Sequence, residues 1–116
     1  MFKMNDFIYK ICLIDEWESA KKIGKFKGTK KDLIDGYIHF SKKEQLNSTL
    51  VKYFYKQDKL ILLKVEVINL ENLKWEKSQT NEYFPHLYSV LNLKNVKKTF
   101  KIILNDDGSH KVPQKL

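Results

Sequence analysis

The chain has 116 residues, 42% hydrophobic and 31% charged, with a formal net charge of +8. That length supports one domain with a single core. No apolar run approaches the roughly 18 residues needed to span a bilayer, and no charged-then-apolar leader opens the chain, so a cytoplasmic monomer with no membrane partner is expected. Every basic residue is lysine, and the missing arginine fork makes sequence-specific reading of DNA an unpromising role. Lysines still allow weak, nonspecific nucleic-acid binding. The accompanying excess of isoleucine and asparagine over alanine equally fits compositional drift. Cys12 is the sole cysteine, which excludes an internal disulfide and reads as a buried, inert thiol.

Phe7–Ile14 reads as a strand, with Ile8, Lys10 and Cys12 alternating against Tyr9, Ile11 and Leu13. Asp15 is expected to cap a helix with Glu18 closing its box, and Trp17, Ala20 and Ile23 share the apolar face before Gly24. Residues 25–35 read as a lysine- and glycine-bearing loop. Next, Asp35-Gly36-Tyr37-Ile38-His39-Phe40-Ser41 places Ile38 and Phe40 on one face of a short strand, and Tyr37, His39 and Ser41 on the other. Ser41 is expected to cap a helix over 42–55, boxed by Glu44, that buries Leu46, Leu50, Tyr53 and Phe54.

Lys59–Val67 is the strongest strand. Ile61, Leu63, Val65 and Val67 make one apolar face, and Leu60 and Leu62 extend apolar character to the other, as a central strand requires. A short strand is expected around Leu73–Glu76 and a loop over 77–83. Phe84-Pro85-His86-Leu87-Tyr88 follows, barred by its proline from an interior position. A turn near Leu93–Val96 leads to a last strand, Lys98–Leu104, and a frayed tail in which His110 is solvated. The order predicts an α+β fold, a mixed, mostly antiparallel sheet with two main helices.

His39 is the leading candidate for chemistry, as a donor or general acid/base beside a helix N-terminus that favours anions; its bland reading is a structural histidine tied to Asp35 or a carbonyl. Glu76, His86 and Tyr88 form a second group, and His39 and His86 are expected to open onto one cleft. Lys42, with the lysines of 25–31, either borders a phosphate-sized site or is simply solvated surface. The spacing of His39, Glu76 and His86 matches no metal signature, and no metal is expected.

Ile8-Tyr9-Lys10-Ile11, Trp17, Phe26-Lys27-Gly28, Asp35 to Ser41, Gln45, Thr49-Leu50, Trp75-Glu76 and Phe84 to Tyr88 together resemble the domain-of-unknown-function 952 family, over about residues 7–104. The family's usual companion to Tyr88 is glycine, and Ser89 stands there instead. The resemblance implies an ADP-ribosyltransferase-like fold, a split pair of small sheets with a cleft between them. It also implies NAD as a cofactor or substrate, with His39 placed to hold a ribose. Tyr37, Tyr53 and Tyr88 are candidates to stack on nicotinamide, and Glu76 or Glu82 to orient the ribose. The arginine-dependent RNA 2′-phosphotransferase mechanism is not expected.

Two functions are therefore carried forward. One is a small protein that binds NAD, ADP-ribose or a related nucleotide, acting as a transferase or glycohydrolase through His39, Glu76 and His86, with Tyr37, Ser41, Lys42 and Tyr88 at the ligand. The other is a non-enzymatic module that binds a phosphorylated or nucleic-acid partner through lysines. Metal-assisted hydrolysis at His39 and His86 is a weaker third.

Overall fold

The computed structural model describes residues 6–116. In chain order the first half comprises β1 (Phe7–Leu13), α1 (Ile14–Ile23), β2 (Lys25–Phe26), α2 (Lys30–Asp35), β3 (Ile38–His39) and α3 (Leu46–Tyr53). The second half comprises β4 (Leu60–Glu66), β5 (Leu73–Lys77), β6 (Tyr83–Leu87), β7 (Leu91–Asn92), β8 (Val96–Lys101), β9 (Ile103–Leu104) and β10 (His110–Lys111). Every ladder among the described residues is antiparallel. The result is an α+β fold in which three helices flank small sheets.

β4 is the centre of the first sheet, ordered β1-β4-β8, as its two apolar faces demand. Ile61, Leu63, Val65 and Val67 join Ile8, Cys12, Trp17 and Phe26 in one buried cluster. On the opposite face Leu60 and Leu62 meet Tyr9, Ile11, Leu46 and Leu50. Each such side chain stabilises the fold by about 1.5–3 kcal/mol when fully buried. β8 is left at an edge, where Lys97, Lys98 and Lys101 are exposed.

The second sheet has the order β3-β6-β5. It is tied to the first by a bridge between Tyr9 and Ser41, whose backbone N–H groups donate to each other's carbonyls at 2.9 and 2.8 Å. Ile38, Phe40 and Leu87 turn inward to the first cluster, with Leu73 packed against it. Strand alternation therefore turns Tyr37, His39, His86 and Tyr88 outward.

Several local expectations are corrected. The N-cap of α1 is Leu13, whose N–H donates to Glu16 at 2.8 Å; Asp15 lies in the first turn, and Glu18 pairs with Lys21 instead of closing a box. Trp17 and Ala20 are buried, whereas Ile23 is exposed. Residues 25–35 are not a loop: they hold β2 and α2, because Thr29 caps α2 and Asp32 returns the bond to the Thr29 N–H at 2.8 Å. Ser41 caps nothing; it is buried in the Tyr9 bridge, and Lys42 precedes the 3₁₀ turn Lys43–Gln45, closed by Gln45 rather than Glu44. Tyr53 is exposed.

Pro85 sits in the middle strand of the second sheet, against expectation. Its carbonyl accepts from Phe40 N–H at 3.0 Å, so its missing donor falls just beyond the two paired residues of β3 and costs one terminal bond. The last strand divides into β8 and β9. The tail is not frayed: β10 pairs with β9, Val112 and Leu116 pack on the second cluster, and His110 reaches the Gln57 carbonyl at 2.7 Å.

Candidate functional site

The outward face of the second sheet concentrates the polar and aromatic residues. Register places His39 opposite His86, and His86 opposite Lys74, so the three form one row across three strands. Neighbouring positions on the same face bring Tyr37, Tyr88 and Glu76 alongside. The imidazoles of His39 and His86 have centroids 5.5 Å apart, nearly edge-on. The Tyr37 ring stacks on His86 at 4.2 Å and leans on His39 at 4.5 Å and Tyr88 at 5.2 Å. Gly36 ends α2 at φ +88°, a left-handed turn that glycine makes without strain and that starts the chain toward Tyr37.

His39 is held at both ring nitrogens. Nδ1 lies 2.6 Å from Asp32 Oδ1, and Nε2 lies 3.1 Å from Asp35 Oδ2. Only an imidazolium donates from both positions at once. Asp35 also accepts from Lys31 at 2.9 Å, and that bond first, then the Lys31 charge, lowers its pKa against the opposing pull of desolvation.

Beneath His39 lies a buried ion pair. Lys10 Nζ is 2.8 Å from Asp32 Oδ2 and donates to the His39 carbonyl at 2.9 Å. Asp32 also accepts from the backbone N–H groups of Thr29 at 2.8 Å and His39 at 3.1 Å. Burial pushes the Asp32 carboxyl up, but the His39 bond and the Lys10 ammonium outweigh it and hold the group well below the usual carboxylate range. Gly28 makes room for this carboxylate: its φ is +118°, and a Cβ there would stand 2.7 Å from the Asp32 Cβ.

His86 differs. Its Nδ1 lies 2.8 Å from Glu76 Oε1, and burial lowers its pKa despite that carboxylate. The neutral imidazole therefore donates Nδ1–H to Glu76 and keeps a lone pair on Nε2. Tyr88 donates its hydroxyl to the same Glu76 oxygen at 2.5 Å. This bond lowers the Glu76 pKa and raises that of Tyr88 to about 12. Lys74 lies over the Tyr88 ring at 5.0 Å.

A groove of about 310 Å³ runs beside this face, lined by Lys27, Leu33, Tyr37, Leu87, Tyr88 and Val90. Neither imidazole lines it; Tyr37 and Tyr88 are common to the groove and the histidine row. Of the residues singled out from sequence, Tyr37, His39, Glu76, His86 and Tyr88 are thus brought together. Ser41 and Lys42 are not. The Ser41 hydroxyl is engaged with Thr49 at 3.0 Å, and the Lys42 ammonium lies over Trp75 at 5.6 Å. Glu82 is exposed in the turn before β6, with its carbonyl accepting from Ser78 N–H. Cys12 is fully buried, and desolvation raises its thiol to about 12, so it is inert. Lys10 and Asp32 were missed as site residues, although a lysine alternating with Ile8 and Cys12 and a Thr-x-x-Asp capping box both signalled them.

With this geometry in place, the fold and site define a small α+β protein whose outward sheet face carries paired histidines and carboxylates. The chain belongs to the DUF952 family, proteins of unknown function, whose profile matches residues 11–99. It is similar to CC0527 from Caulobacter crescentus. The crystal structure of that protein is 43% identical, covers 91% of this chain and 94% of its own, and superposes with a TM-score of 0.86. Its solution NMR structure is 44% identical, with 89% and 90% covered and a TM-score of 0.78. Comparison with curated proteins finds no match. No helix among the described residues is long and apolar enough to cross a membrane.

Proposed function

We propose that the protein binds a ribonucleotide of the NAD or ADP-ribose kind in the groove beside Tyr37 and Tyr88. The groove itself carries this reading: its volume, about 310 Å³, falls within the range of small-ligand sites. Its lining includes two aromatic residues, Tyr37 and Tyr88, and Lys27, together with Asp32, whose charge is already paired with Lys10. An aromatic wall suits a nicotinamide or adenine ring, and the ammonium suits a diphosphate as a point charge. Glu76, which accepts from the Tyr88 hydroxyl, would accept from a ribose hydroxyl as well.

An ADP-ribosyltransferase-like arrangement is part of the same reading. It is supported by two three-stranded sheets joined through one bridge, with a histidine on the early strand of the second. His39 would contact ribose by exchanging Asp35 for a ribose hydroxyl, since Asp35 keeps Lys31. Transferase or glycohydrolase chemistry at the ribose would follow from His86 and Glu76.

Isothermal titration of the intact chain with NAD and with ADP-ribose tests the proposal. Binding weakened at least tenfold by Tyr88→Ala and by Lys27→Ala is expected. No heat from either nucleotide at millimolar concentration overturns it.

A further inference from the structure

The row His39–His86–Lys74 lies outside the groove lining, and its chemistry points to a second reaction. His86 and His39 are neighbours in opposite settings. The His86 Nδ1–H is spent on Glu76, and its Nε2 has no hydrogen-bond partner among the described residues and is not sealed from solvent. The His39 ring faces carboxylates at both nitrogens, at 2.6 and 3.1 Å, the setting of a proton donor. One ring is arranged to take a proton and the other to give one, with centroids 5.5 Å apart. Lys74 completes the row on the third strand and is exposed.

We propose that this row cleaves RNA phosphodiesters by attack of the neighbouring 2′-hydroxyl. The His86 Nε2 takes the 2′-hydroxyl proton as that oxygen bonds to phosphorus. The bond from phosphorus to the 5′-oxygen breaks, and His39 passes its Nε2 proton to the departing oxygen, Asp35 withdrawing to Lys31. The products are a 2′,3′-cyclic phosphate and a free 5′-hydroxyl. Solvent returns the proton from His86 to His39, so no co-reactant is consumed. Lys74 offsets the charge that builds on the phosphoryl oxygens.

Glu76 acts through His86 and is a positioning residue: it fixes which nitrogen carries the lone pair. The half-buried Tyr37 and exposed Tyr88 offer ring faces for an unstacked base, the mode by which single-stranded RNA is held. A net charge of +8 draws the chain to a polyanion, and lysines suffice because cleavage of this kind reads the ribose, not the base edges. This proposal stands on the cross-strand row, whose imidazoles lie outside the groove lining, and it shares only Tyr37 and Tyr88 with the groove, so RNA cleavage can fail or succeed whether or not NAD or ADP-ribose binds.

The experiment compares a short single-stranded RNA labelled at both ends with the same sequence as DNA, using the full chain. The expected result is RNA cut to 2′,3′-cyclic phosphate ends and DNA left intact. His86→Gln should slow the cut by roughly 100-fold or more, the usual worth of a general base, and Glu76→Gln should slow it less and shift its pH optimum. His39→Ala disturbs the buried Asp32 network, so the exposed Lys74→Ala, expected to slow cleavage about tenfold with an unchanged circular dichroism spectrum, supplies a variant that folds. Absence of cleavage by the natural chain, equal rates in it and His86→Gln, or cleavage of the DNA strand each overturns the proposal.

Discussion

Lys10 and Asp32 lie 22 positions apart in sequence and bury their charges against one another, with side chains only 5% and 2% exposed. The pair anchors α2 to β1 and, through the bonds of both residues to His39, fixes the strand that carries the outward histidine. Breaking such a pair strands the remaining charge in a dry setting. Lys10→Met is therefore expected to cost about 3–5 kcal/mol in urea unfolding. The double variant with Asp32→Asn should lose less than the two single losses combined, because the stranded carboxylate is gone.

Acid should act on the same carboxylate. The folded-state pKa of Asp32 is depressed below its unfolded value near 3.9. Its stabilisation is complete above the unfolded value and is lost as the pH falls toward the folded one. Thermal melts between about pH 5 and pH 2 should show a steep fall in stability, and Asp32→Asn, less stable at neutral pH, should show a shallower one.

His86 follows the opposite chemistry with the same direction of effect. Burial lowers its folded pKa beneath the ordinary 6.5, so the unfolded chain binds the extra proton first and stability falls as pH drops below about 6.5. Nuclear magnetic resonance should find the His86 ring titrating under 6.5. Glu76→Gln should lower that midpoint further, since the carboxylate is what opposes desolvation.

Tyr88 should resist ionisation until about pH 12, because its proton is held by Glu76. Ultraviolet titration of the Tyr88→Phe variant should lack that late phenol. Glu76→Gln should return it toward 10.

Gly28→Ala should destabilise the chain by about 1–3 kcal/mol, since the residue has φ +118° and an added methyl would meet the Asp32 Cβ. Denaturant unfolding measures the loss; a variant as stable as the natural chain would mean that α2 can shift aside.

The two faces of β4 were legible because alternation is strict there and both sets are apolar, so centrality follows from Leu60 and Leu62 alone. The grouping of Tyr37, His39, His86 and Tyr88 on one face was legible from alternation within each segment, but their closeness was not, since it depends on the β3–β6 register. Other features depended on tertiary context. Pro85 is tolerated mid-sheet because β3 stops after two residues, which local sequence does not reveal. Ser41 has the residue type of a cap, yet its pairing with Tyr9, 32 positions earlier, withdraws it from the helix. The helix over 30–35 hid inside a lysine run because six residues show too little periodicity.

The lysines that decorate β8 bear on how the chain behaves in a crowded solution. An open strand border invites any stray extended segment to zip onto it. Lys97, Lys98 and Lys101 place positive charge along that border, so a second copy presenting its own meets repulsion before backbone bonds can form. These three lysines thus serve to keep copies of the chain apart.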